Sequence, residues 1–102
     1  MKFQHECKDD KLYIAFGGDI LFIETTELSS YLENLLNEDF QEAVLNFSDV
    51  SGITSSAIGA VIDFYHKLAA KGKKMRIKGM SEKAYSVFKY FKLDQIFPVE
   101  KD

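Results

Sequence analysis

Five hydroxyl side chains fall within nine residues, Ser48, Ser51, Thr54, Ser55 and Ser56, where a short apolar run gives way to a helical pattern. Hydroxyls in that position can do two kinds of chemistry. They can cap the first N–H groups of a helix, which lack backbone partners. They can also accept phosphate. A phosphoryl group on Ser56 would lie at the positive end of the helix and add about −1.5 to −2 charge to a surface loop. The first role only holds the fold, and the second would change docking without unfolding anything. Type and spacing alone favour capping.

Other chemistries lack their parts. Metal sites draw on His and Cys clusters, and the chain has only His5, His66 and Cys7, with no Cys-x-x-Cys or His-x-x-x-His. Ser56 and His66 are ten residues apart on a predicted helix, roughly 15 Å, which is too far for a nucleophile and its base. No Gly-x-Ser-x-Gly elbow occurs, and Gly17-Gly18 lacks the spacing of a dinucleotide loop. Asp9-Asp10 precede an apolar strand instead of following it, so the pair cannot form the acidic pocket of a phospho-acceptor receiver domain. No catalytic residue, metal or cofactor is expected. The single Cys7 cannot form an internal disulfide, fits a reducing compartment, and reads as a small core residue.

The elements that must hold the hydroxyl segment follow from periodicity. Phe3, His5 and Cys7 alternate with polar residues, Lys8-Asp9-Asp10-Lys11 is a turn, and 12–16 is a second strand. Gly17-Gly18-Asp19 breaks that strand, and the apolar stretch 20–23 leads into a first helix over about 25–37. Residues 43–47 read as a buried strand and 48–52 as a loop. A second helix starts near Ser56, with Ile58, Val61, Ile62, Tyr65, Leu68 and Ala69 as its apolar stripe, and stops at Gly72. Residues 74–78 alternate as a strand. Ser81 caps a third helix with Ala84, Val87, Phe88 and Phe91 inward, and Leu93, Ile96, Phe97 and Val99 close the core, with a short last strand. The order predicts one α/β domain over 1–102. Its mixed sheet has four or five strands, mostly parallel after an N-terminal hairpin, covered by three or more helices.

Composition narrows the partners. The 102 residues are 46% hydrophobic with a net charge of −3, which does not suggest nucleic acid. No apolar run approaches a membrane span, and no signal-like segment opens the chain, so a soluble, cytoplasmic protein is expected. The average hides an asymmetry. Three Lys and twelve acids in 1–66 give −9, whereas eight Lys, Arg76 and Glu82 in 67–92 give +8. Such a block could meet an acidic partner or a headgroup, although lysines at helix ends and turns produce the same count.

Residues 44–50, Val-Leu-Asn-Phe-Ser-Asp-Val, and 53–59, Ile-Thr-Ser-Ser-Ala-Ile-Gly, resemble the core of the STAS domain of bacterial anti-sigma factor antagonists. Gly18-Asp19-Ile20, the Gly72 turn and the closing segment 91–97 extend the resemblance over almost the whole chain. In that family the second Ser of an Asp-Ser-Ser-Gly motif accepts phosphate from the anti-sigma factor, which is also a serine kinase. The resemblance therefore implies Ser56 as the acceptor, with Ser55 and Thr54 as secondary candidates. It implies a partner surface of Asp49, Ser51, Ile53, Thr54, Ser55, Ser56, Ala57, Ile58 and Gly59. The implied partners are an anti-sigma factor kinase and a phosphatase that resets the switch, with no direct DNA binding and no integral membrane segment. Oligomeric state stays open. Thr54 stands where the family has Asp, and Ala57 where it has Gly. Gly59 is expected to permit close approach of helix and sheet. The alternative reading is a constitutive STAS subunit of a sensory assembly or a lipid or solute transporter, without a phosphate cycle.

Overall fold

Asp9 and Asp10 both adopt positive φ, 53° and 66°. Two such residues in succession give a hairpin turn whose twist matches that of its strands. The turn joins β1 (Lys2–Lys8) to β2 (Lys11–Gly17), antiparallel, with Lys8 opposite Lys11. The remaining elements are α1 (Thr25–Leu35), β3 (Glu42–Asp49), α2 (Ser55–Ala70), β4 (Lys74–Met80), α3 (Glu82–Tyr90), a 3-10 turn at Leu93–Gln95 and β5 (Val99–Lys101). The computed structural model describes residues 2–17, 25–50 and 53–101. The expected Gly18-Asp19 break, the apolar stretch 20–23 and Ser51 lie outside these residues.

Strand order in the sheet is chain order, β1-β2-β3-β4-β5, and every pair after the hairpin is parallel. Each parallel step is a β-α-β crossover in the same direction. Right-handed crossovers of that kind put all three helices on one face of the sheet. The α/β reading, with a mixed sheet and its helices, is therefore what the chain forms.

That face holds the core. Leu12, Ile14 and Phe16 of β2, Ala43, Leu45 and Phe47 of β3, and Met75 and Ile77 of β4 point into it. They meet Leu28, Leu32 and Leu35 of α1, the buried line of α2, and Ala84 and Phe88 of α3. Phe16, Phe47 and Phe88 form an edge-to-face chain through the centre, with ring centroids 5.2 and 6.1 Å apart. Lys67 ties the helix layer together at its surface, 3.0 Å from Asp63 one turn back and 3.5 Å from Glu33 of α1.

Several expectations need correction. In α2 the buried residues are Ala57, Ile58, Val61, Phe64 and Leu68, so Ile58, Val61 and Leu68 of the expected stripe are buried while Ala57 and Phe64 join them. Ile62 and Tyr65 are only half-buried and Ala69 is exposed. Phe91 is 51% exposed, because α3 stops at Tyr90 and Lys92 turns left-handed at φ 59°, which ends helical periodicity just there. Ile96 is 45% exposed, since the 3-10 turn sends Leu93 and Phe97 inward instead. Cys7 is exposed, not a core residue. The Tyr31 ring of α1 stacks on Phe3 at 4.5 Å and its hydroxyl lies 2.6 Å from His5 Nδ1, and Cys7 sits one inward-facing position beyond that cover. Desolvation, then the Glu38 and Asp39 carboxylates, push the Cys7 thiol above its usual range, so it is a poor nucleophile at neutral pH.

Candidate functional site

The hydroxyl segment begins on the sheet, not in a loop. β3 continues to Asp49, so Ser48 and Asp49 are strand residues. Asn46 Oδ1 accepts from the Ser48 N–H at 2.9 Å and from its hydroxyl at 2.6 Å, which fixes the end of the strand. Gly79 of β4 lies against this pair at φ +74°, and a Cβ there would clash with the Ser48 hydroxyl and come within 2.9 Å of Asn46 Oδ1. Only glycine fits that approach. Val50 then turns inward, with its N–H donating to Phe47 O at 2.9 Å.

At the far side of the turn, the helix cap belongs to Thr54. Its backbone is extended, at φ −86° and ψ 160°, and its Oγ1 accepts from the Ala57 N–H at 3.2 Å. The carbonyl of Thr54 accepts the first helical bond, from Ile58 at 3.0 Å. Capping was expected of Ser56, with the helix beginning near it. The helix starts one residue earlier, and Thr54 performs the cap. Ser55 and Ser56 occupy the first two helical positions, Ser55 exposed and Ser56 half-buried. The first turn of α2 contains no acidic side chain. The field of the helix N-terminus is therefore uncompensated by side-chain charge from its own first turn, and an anion there would be favoured.

The other candidate residues fall into three groups. Asp49 is exposed at the end of β3, Ile53 is half-buried, and Ser51 is outside the described residues. Ala57 is fully buried and Ile58 is 5% exposed, so the core takes most of both side chains. Gly59 faces outward, and a Cβ there would meet nothing within 4 Å. The expected close approach of helix and sheet at Gly59 is thus absent, because the contact line of α2 runs through Ala57 and Val61 instead.

Gly59 instead borders an apolar trough of about 300 Å³, lined by Ser55, Ile58, Gly59, Ile62, Phe91 and Leu93. Its wall includes Phe91, and both Ile62 and Leu93 belong to it; none of these was expected at the site. A half-used apolar stripe on α2, with Ile62 off the main contact line, is the signal that could have found it.

The basic block does not gather into one patch. Lys73 donates to Glu38 O at 3.1 Å and lies 3.9 Å from the centre of the Phe40 ring, while Arg76 is held by Glu42 at 3.6 Å and Glu100 at 3.3 Å. Lys74 and Lys78 alternate with the core residues of β4 and face away from the helices, whereas Lys83, Lys89 and Lys92 belong to the helix layer. Among the described residues no helix is long and apolar enough to cross a membrane.

Solved structures share this fold. A Thermotoga maritima protein, described as a candidate anti-sigma factor antagonist, superposes with a TM-score of 0.89 at 19% identity, over 98% of this chain and 86% of that one. The Bacillus cell-fate determinant SpoIIAA in its phosphorylated form gives 0.74 at 18% identity, over 96% and 90%. A sulfate transporter family protein from Wolinella succinogenes gives 0.78 at 17%, over 91% and 78%. At these identities the likeness is one of fold. The STAS domain family model matches residues 2–102 of the sequence itself, and the chain therefore belongs to the STAS domain family.

Proposed function

We propose that the chain is an anti-sigma factor antagonist: a non-enzymatic module that sequesters an anti-sigma factor with serine kinase activity and is released when Ser56 is phosphorylated. The observation that carries this reading is the division of labour at the start of α2. Thr54 already caps the helix, so Ser56 is free of that task while remaining in the first turn, where no acidic side chain opposes a phosphate. Anti-sigma factor antagonists among the structural neighbours, one of them solved phosphorylated, support the same reading. The apolar trough beside Ser55 gives a partner something to fill, and a dianion at the next residue would oppose burial of that rim.

The test is paired co-purification from the native cell with wild-type and Ser56→Asp bait, bound proteins being identified by mass spectrometry. An anti-sigma kinase retained by the wild type and reduced about tenfold or more by Ser56→Asp is expected, a loss of at least 1.4 kcal/mol. The melting temperature of the variant should stay near that of the wild type. Equal capture by both forms would overturn the switch. The second reading, a constitutive STAS subunit, draws on the sulfate transporter family neighbour. It predicts capture of a transporter or scaffold protein insensitive to Ser56→Asp, and more sensitive to charge reversal at Lys71, Lys73 and Lys74.

A further inference from the structure

The face of the sheet turned away from the helices carries a groove of about 520 Å³ that shares no lining residue with the serine segment and meets it only through Asn46, which holds Ser48. Parallel strands are ordinarily covered on both faces. Here the one-directional crossovers leave this face with no covering element among the described residues. Strand register brings its side chains into two rows. Glu6, Tyr13 and Val44 lie opposite one another on β1, β2 and β3, and Ala15, Asn46 and Lys78 do so on β2, β3 and β4. All six line the groove.

We propose that this groove binds an elongated organic anion with a flat aromatic body and a hydrogen-bond donor at the end away from its charge. The chemistry of the walls carries the assignment. Asn46 has turned its Oδ1 to Ser48, at 2.9 and 2.6 Å, so its side-chain amide is committed as an acceptor on that side and keeps its Nδ2 hydrogens to donate. Lys78 is directly across from it on β4 and is exposed. Arg76, two residues back, is neutralised by Glu42 and Glu100, but Lys78 has no ion pair among the described residues. Two donors on adjacent strands, one of them an uncompensated cation, suit a carboxylate or phosphate.

The floor suits a ring. Val44, 1% exposed, is already covered by its neighbours, and exposed Ala15 leaves the hollow between longer side chains in which a ring would sit. Half-buried Tyr13 presents an aromatic wall beside them. At the opposite rim Glu6 is exposed and makes no ion pair among the described residues, so an amine or hydroxyl on the ligand would complete it. Three strand spacings separate β1 from β4, roughly 14 Å, which calls for a long molecule instead of a bare ion. A second copy of the same face, itself hollow, would leave the cavity unfilled.

The experiment is a ¹H–¹⁵N NMR titration of the labelled chain with 4-aminohippurate and with 4-aminophenyl phosphate, and with the neutral amide of the former as control. Expected are shifts concentrated at 4–6, 13–15, 44–46 and 78 for at least one anion, with a dissociation constant on the order of 1 mM or tighter. Lys78→Glu should weaken that binding about tenfold, and Ala15→Leu, on an exposed strand position, should abolish it without loss of dispersed peaks. Ser56→Asp should leave it unchanged, which separates this site from the proposed switch. Three results would overturn the proposal: no shifts on this face with either anion, equal affinity for the neutral amide, or the same residues shifting with protein concentration alone as a dimer forms.

Discussion

The two faces of one sheet are built to opposite rules. Toward the helices, Ile14, Leu45 and Ile77 sit on neighbouring strands in a single row, each with no exposed surface. On the other side the neighbouring rows contain Glu6, Tyr13, Val44 and Arg76, then Ala15, Asn46 and Lys78. Strand alternation alone produces both. The difference teaches that cohesion here is supplied mainly from one side, so the second side is free to carry polar side chains and a hollow that a core would not tolerate. The serine segment lies at the end of the sheet where α2 starts, between those regimes, with its cap serving the fold and its neighbours available to a partner.

The comparison can be broken first where it is most lopsided. Phe47→Ala removes the middle ring of the Phe16–Phe47–Phe88 chain and should cost about 3–5 kcal/mol in urea unfolding. Tyr13→Ala on the opposite face should cost about 1 kcal/mol. Similar losses for both would mean that the open face is a second core. At the boundary, Thr54→Ala should lower stability by about 1 kcal/mol through loss of the Ala57 cap, while Ser56→Ala should stay within about 0.5 kcal/mol of wild type. Thr54→Asp should keep the cap. The reverse ranking of the Thr54 and Ser56 variants, measured by thermal melting, would return the capping role to Ser56. Most diagnostic is Gly59→Ala. A methyl group there meets nothing, and the helix should gain up to about 1 kcal/mol from propensity. The same methyl group narrows the trough, so partner capture should fall as stability rises. Unchanged capture would remove Gly59 from the docking surface.

The fold was legible where periodicity carried it. Alternation at 74–78 and the leucine spacing of α1 read directly as a strand and a helix, and the chain order of elements implied parallel crossovers. What escaped was set between elements. Five clustered hydroxyls compete for one cap, and which wins depends on where the helix begins to within a residue, the least determinate feature of a local pattern. Phe91 continues an apolar spacing that its own backbone no longer follows, because Lys92 is left-handed. The groove on the open face depends on the register of four strands, and nothing within Glu6, Tyr13 or Lys78's own surroundings in the chain announces it.

Strand order equal to chain order also bears on how the molecule is made. Each strand after the first pairs with the one synthesised just before it, and no later segment has to insert between strands already joined. A chain emerging from the ribosome can therefore extend its sheet one β-α-β unit at a time, with closures that stay short. The growing edge is always the newest strand. Fusions at either terminus extend an edge instead of interrupting a pairing, whereas an insertion within β3 would divide the sheet at its middle.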